Sequence, residues 1–225
     1  MLDEVTNTKI LSEYLDGIDM VFILGSDDDI VAPKSALQLA MICNEKEIHC
    51  FTILSFSDTA GELDDSTRTL YGLSNNVLLL RFSRTVDNLK SCFMLVAAVA
   101  SIIDPLLNHG LVGIDLDDFK QILSQGKHTN IGLACAKGKN RAHEAAKYAL
   151  QQLPNKQFAA SMTAIVTCGT TLKQEEFNTI MEKIRTAADI DCTVLVCTAP
   201  HQNHIDELQL TVMCLKQKQG IAATL

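Results

Sequence analysis

The sequence predicts an α/β fold in two parts: a small parallel sheet, a long central helix, and a second α/β unit with a mixed sheet. Three observations predict it. Short apolar runs alternate with helix-period segments from residue 20 to residue 80, the pattern of parallel strands joined by crossover helices. Residues 92–107 are almost wholly apolar, which in a globular protein marks a helix buried on every side. Beyond that segment the alternation resumes, and it closes on Glu207-Leu208-Gln209-Leu210-Thr211-Val212, where apolar and polar residues alternate with a strand's period of two.

The elements follow in order. Residues 3–16 read as a helix with Val5, Ile10, Leu11, Tyr14 and Leu15 apolar, closed by Gly17. Met20-Val21-Phe22-Ile23-Leu24 is a continuous apolar run between Asp19 and Gly25, as expected of a buried strand. Pro33 opens a helix to about residue 43, and 48–55 is a second apolar strand. A short helix at 66–73 and the Asn75-Asn76 turn lead into a third strand at 77–80. The long helix covers about 86–107. The second half reads as helix 115–125, strand 130–136, helix 139–152, strand 161–168, helix 173–187, strand 191–198 and strand 207–215. The boundary falls near 108–112, giving domains 1–108 and 109–225.

Composition narrows the function. The 225 residues are enough for a substantial core. A net charge of -8 argues against nucleic-acid binding, which needs clustered Lys and Arg against phosphate, and the absence of Trp leaves little for base stacking. The apolar segment at 92–107 is shorter than the roughly 20 residues a bilayer requires and carries Asp104 and Pro105, so no direct membrane contact is expected. The N-terminus is polar and acidic, unlike a signal peptide. Eight cysteines lie mostly inside apolar runs without a CxxC pair, which reads as reduced, buried thiols in a cytoplasmic protein. His201 and His204 form the one close histidine pair; on a loop after Pro200 they read as surface residues, and no metal site is expected.

The stretch with chemical potential is His109-Gly110-Leu111-Val112-Gly113-Ile114-Asp115-Leu116-Asp117-Asp118. It follows the apolar helix and opens a new one. Asp115 and Asp118 are three apart, so on a first helical turn they would share a face and could polarise a water as general-base chemistry requires. The structural alternative is that Asp115 caps the helix and the other acids suit its dipole.

Several stretches, taken in order, resemble FtsZ, the bacterial relative of tubulin. Asp19-Met20-Val21-Phe22-Ile23 is similar to the strand before that family's glycine-rich phosphate loop, and Val31-Ala32-Pro33 to the segment after it. Gly110-Leu111 with Asp115 and Asp118 resembles the family's synergy loop. Gly138, Asn140-Arg141-Ala142 and Glu144-Ala145-Ala146 resemble a helix start in its C-terminal domain, and Asp206-Glu207-Leu208 with Leu210-Thr211-Val212 its last strand. The resemblance implies a truncated Rossmann-like parallel sheet, a long central helix and an FtsZ-type C-terminal domain.

Three departures qualify what the resemblance implies. The chain begins where the family is already well into its nucleotide domain, without the first glycine-rich turn. In place of the phosphate loop stands Gly25-Ser26-Asp27-Asp28-Asp29-Ile30. Each like-charge contact with a triphosphate costs about 0.8 kcal/mol at roughly 5 Å even in water, so three carboxylates oppose GTP; their alternative role is a solvated loop with a helix cap. Third, Cys92 and Phe93 fall where the family reads guanine with an Asn-Asp pair. No GTP or other cofactor is therefore expected, which would make the chain a pseudo-GTPase.

The donor side is kept by comparison. In the family the synergy-loop carboxylates act in trans on the neighbouring subunit's GTP; the resemblance carries this over to Asp115 and Asp118, with Gly110, Leu111 and Gly113 completing the interface and Gly113 standing where the family has Asn. The implied partner is FtsZ or an FtsZ-like protein in bacterial cell division. The family's terminal adaptor-binding peptide also has no counterpart. A strand at 20–24 without its family neighbours would be an apolar open edge, which calls for a homodimer, another partner, or cover from helix 3–16. Two further readings are a self-associating structural protein of the tubulin superfamily and a residual GTPase using Lys34 or Lys137-Gly138-Lys139 as its anion site.

Overall fold

The computed structural model describes residues 4–26, 33–57, 65–82, 88–108, 110–154, 159–169, 171–200 and 206–216. The chain divides into two compact units, with the division at Leu95 and Val96, inside the long helix. The acidic run at 27–29, the His201 and His204 pair and His109 lie outside the described residues, as do the side chains of Cys92 and Phe93.

The first unit holds α1 (Glu4–Tyr14), β1 (Met20–Ser26), α2 (Pro33–Glu45), β2 (His49–Ser57), α3 (Asp65–Leu73) and β3 (Asn76–Phe82). β1, β2 and β3 are parallel neighbours in that order, Met20 facing His49 and Phe51 facing Asn76. This is the sheet that continuous apolar runs between helices require. Gly17 takes a φ of 77°, a left-handed conformation that suits glycine and ends α1. One sheet face buries Ile23, Cys50 and Leu54 under Ala40 and Cys43 of α2 and Leu70 of α3. On the other, the Phe22 and Phe51 rings meet at 5.7 Å. β1 pairs with β2 alone among the described strands of this unit, so it is the expected edge. α1 packs against α2.

The long helix is α4 (Asn88–Leu107). Ala98, Ser101, Ile102 and Pro105 are buried, but Val96 is 63 % exposed and Leu107 is also exposed. The expectation of burial on every side was wrong: an apolar sequence fixes that a helix can be buried, not how much of it is covered. Among the described residues, no helix is long and apolar enough to cross a membrane.

The second unit contains α5 (Leu116–Leu123), β4 (His128–Lys137), α6 (Arg141–Gln151), β5 (Ser161–Cys168), α7 (Gln174–Ala187), β6 (Thr193–Pro200) and β7 (Glu207–Lys216). Its strands run in the order β4-β7-β5-β6. β7 is antiparallel to both β4 and β5, and β5 is parallel to β6, which makes the sheet mixed. β6 begins two residues later than the sequence suggested, because Cys192 N–H donates to Asp189 C=O and closes a turn first. All eight residues of β5 are buried. Met162, Ala164 and Val166 share a core with Ala145, Ala146 and Ala149 of α6 and Ile180 and Ile184 of α7. The small side chains let α6 lie very close to the sheet: a Cβ on Gly132 would stand 2.0 Å from the Ala149 carbonyl oxygen.

The thiols are mostly as expected. Cys43, Cys50, Cys168, Cys192, Cys197 and Cys214 are buried thiols, outside any disulfide among the described residues. Burial, with a smaller contribution from Cys50, pushes the Cys43 thiol up to about 11, and burial pushes Cys197 up to about 12. These thiols therefore stay protonated at neutral pH. Cys135 departs from the expectation and is exposed, since β4 turns that side of its pleat outward.

Candidate functional site: the loop between the long helix and α5

The segment 110–118 links α4 to α5, and two anchors fix it. The first is a helix cap. Asp115 has extended backbone angles, φ -92° and ψ 170°, and its Oδ1 accepts a hydrogen bond of 2.8 Å from the Asp118 N–H. This satisfies one of the donors that every helix start leaves open. Asp115 thus stands at the cap rather than on the first turn, as the helix-sharing arrangement would have it. Asp117 and Asp118 occupy that turn, where the helix dipole favours them. The opposite side of α5 buries Phe119, Ile122 and Leu123, which holds the helix in place.

The second anchor is β6. Thr198 N–H donates to the Val112 carbonyl at 2.9 Å, and the Thr198 hydroxyl accepts from Val112 N–H at 3.0 Å. Gly110 allows this approach: a Cβ there would lie 1.9 Å from the Thr198 carbonyl oxygen. Gly113 has open space around it, so no contact demands glycine at that position.

Around these anchors the loop faces outward. Leu111 is 82 % exposed, Val112 is exposed, and so are Asp115, Asp117 and Asp118. The loop thus sets Leu111 in water beside three exposed carboxylates. Of the two acids singled out from sequence, one has an oxygen engaged in capping, and Asp118 extends from the helix into solvent.

Sequence reasoning missed two features. Thr198 is 86 residues from Val112, and nothing in its apolar run marks it as a loop anchor. The other is a buried ion pair joining α6 and α7. Arg141 donates to Glu176 through Nε at 2.6 Å and Nη2 at 2.9 Å, and Nη2 also reaches the Thr171 carbonyl at 3.0 Å. Glu176 accepts in addition from Lys173 N–H at 2.9 Å, capping α7. The Arg141 hydrogen bonds hold the Glu176 carboxyl below the usual carboxylate range, against the opposing effect of burial. A Glu three residues after a helix start is a capping signal that could have been read; its arginine partner could not. Lys34, Lys137 and Lys139 are exposed, and Lys137 faces Glu207 at 3.6 Å.

Comparison with known proteins places this geometry. Residues 128–216 match the FtsZ family, C-terminal domain. The cell division protein FtsZ of Buchnera aphidicola subsp. Schizaphis graminum is 26% identical over 91% of this chain and 59% of its own length. FtsZ of Pseudomonas aeruginosa is 26% identical over 90% of this chain and 57% of its own. The chain thus spans less than two thirds of the length of these curated relatives. Among solved structures, an empty FtsZ dimer of M. jannaschii superposes with a TM-score of 0.82 at 15% identity, covering 97% of this chain and 74% of that one. A GTPgS-bound protofilament of CetZ2 from Haloferax volcanii gives 0.71 at 15% identity, covering 96% and 72%. At such identities the likeness is one of fold.

Proposed function

We propose that the chain, which is similar to FtsZ in sequence over most of its length and in fold, docks on FtsZ or a relative through loop 110–118 and modulates filament assembly in cell division. One observation carries the reading: Leu111 projects 82 % exposed between Gly110, which lies close against Thr198, and Val112, whose N–H and carbonyl both bond to Thr198. An outward apolar side chain on a bonded backbone has less chain to order on binding, which favours a specific contact over a chance one. Asp118, at the first turn of α5, is the acid available to reach the partner's nucleotide. The acidic run Asp27-Asp28-Asp29 supports a chain without a GTP site of its own, so that it gives a contact in the cytoplasm without accepting the next subunit.

Sedimentation of FtsZ with GTP and a substoichiometric amount of this protein tests the reading. The expected outcome is less polymer and altered GTP turnover, with both effects weakened by Leu111→Asp and the turnover effect weakened by Asp118→Ala. Polymer mass and turnover that are unchanged by the wild-type protein would reject it.

A second reading has its own observation. Among the described strands of the first unit β1 is an open edge, and Leu24 on it is 48 % exposed. Edge pairing between two copies would cover it and make the chain self-associating. Light scattering without FtsZ or nucleotide separates the two, since only this version forms oligomers there, and Leu24→Lys should then abolish them.

A further inference from the structure

We infer that Thr198 is the positioning residue of the docking loop, acting through its hydroxyl; what it positions rests on the docking role proposed above. β6 is the terminal strand of the second unit's sheet, and its pairing with β5 places Thr198 opposite Val166. The other side of Thr198 meets the loop. Its N–H donates to the Val112 carbonyl at 2.9 Å, and its hydroxyl takes up Val112 N–H at 3.0 Å while donating to the same Val112 carbonyl at 3.4 Å. A hydroxyl has one hydrogen and two lone pairs, so it can serve both groups of one residue together, which neither valine nor alanine can do. Thr198 is 3% exposed and sits between buried Cys197 and Ala199, so the anchor itself has little freedom to move.

The consequence reaches Leu111. Gly110 lies close against the Thr198 carbonyl and Val112 is bonded to its hydroxyl, and the residue between them stands exposed. The side chain expected to make the contact is aimed by a threonine that never touches the partner.

Thr198→Val keeps the volume, the strand and the Thr198 N–H bond, and removes the acceptor for Val112 N–H. Hydrogen exchange of the full chain is the direct readout. Exchange at 112 should rise about tenfold, the size that losing one hydrogen bond of ordinary net strength allows. Amides of β5 and β7 should be unchanged, and Thr198→Ser should restore the wild-type rate. In the sedimentation assay Thr198→Val should lose activity as Leu111→Asp does, and Thr198→Ser should keep it. Unchanged exchange at 112 in Thr198→Val overturns the inference whatever the filament assay gives. A tenfold rise with serine rescue, from a wild-type protein that leaves filaments untouched, upholds Thr198 as the loop's anchor and rejects the docking role alone.

Discussion

β1 and β5 are both short apolar strands in parallel pairing, yet they sit in opposite circumstances. Every residue of β5 is buried, with β7 on one side and β6 on the other. β1 has one neighbour among the described strands, Ile23 is its one fully buried residue among those whose burial is described, and Leu24 is half exposed. Similar hydrophobicity in sequence therefore says little about the free energy each strand contributes. That depends on how many partners surround it and how tightly they pack. The second unit also carries features with no described counterpart in the first: a glycine-mediated contact between helix and sheet, and a buried, bidentate ion pair.

The contrast predicts where the chain breaks. Met162→Ala in β5 should cost about 2–5 kcal/mol, because the surrounding core can close the cavity only in part. Leu24→Ala in β1 should cost about 1 kcal/mol or less, since its side chain already meets solvent. Urea unfolding measures both, and equal costs would erase the contrast. Gly132→Ala belongs with the severe class. Its new methyl meets the backbone of Ala149, which cannot rotate away, so about 3 kcal/mol is expected. Next comes Glu176→Ala, at about 3 kcal/mol, because it leaves the Arg141 guanidinium buried without its counter-charge. Replacing both partners with apolar residues should recover much of that loss.

These costs also mark what the sequence could and could not convey. Element type and order were legible, because most strands are apolar or alternating runs and the helices are longer segments bounded by residues such as Gly17 and Asp115. Ends were legible to within a few residues. The mixed sheet could be anticipated from the period-two pattern at 207–212, and the edge position of β1 from the resemblance. Contacts between distant segments were not legible. Val112 against Thr198, Gly132 against Ala149 and Arg141 against Glu176 each join segments whose local patterns carry no mark of the other. The loop acids show the same limit. Spacing suggested a shared helical face, whereas the backbone angles at Asp115 place it one step outside the helix.

A smaller effect concerns pH. Burial lowers the pKa of His128 from its ordinary 6.5, and nearby Lys127 and Lys216 lower it further. The folded chain thus prefers the neutral ring, and protonation favours unfolding. The stability tied to this residue is complete above pH 6.5 and declines as pH falls through 6.5 toward the lowered folded value. Glu176, with a depressed carboxyl pKa, gives the same direction at lower pH, where its contribution is lost as the carboxylate protonates. His128→Gln should therefore flatten the upper part of the stability curve and leave the acid limb in place. Parallel curves for the two proteins would show that β4 does not sense pH through this ring.

The smallest expected effect tests whether full burial always means a costly substitution. Thr129, Ser161, Thr163, Thr167 and Thr211 are buried, and their hydroxyls find no hydrogen-bond partner among the described residues. Those on β5 alternate with residues of the helix-packed core, so they lie on the other face of the strand. A buried hydroxyl without a partner has lost its hydration and gained nothing in exchange. Thr163→Val keeps the shape and removes the uncompensated group. Its expected effect is therefore within about 0.5 kcal/mol of zero, or slightly stabilising, in the same strand where Met162→Ala is severe. A loss of about 2 kcal/mol for Thr163→Val would show that the hydroxyl is satisfied in solution. Burial and cost would then run together along β5, and the distinction between its two faces would fall.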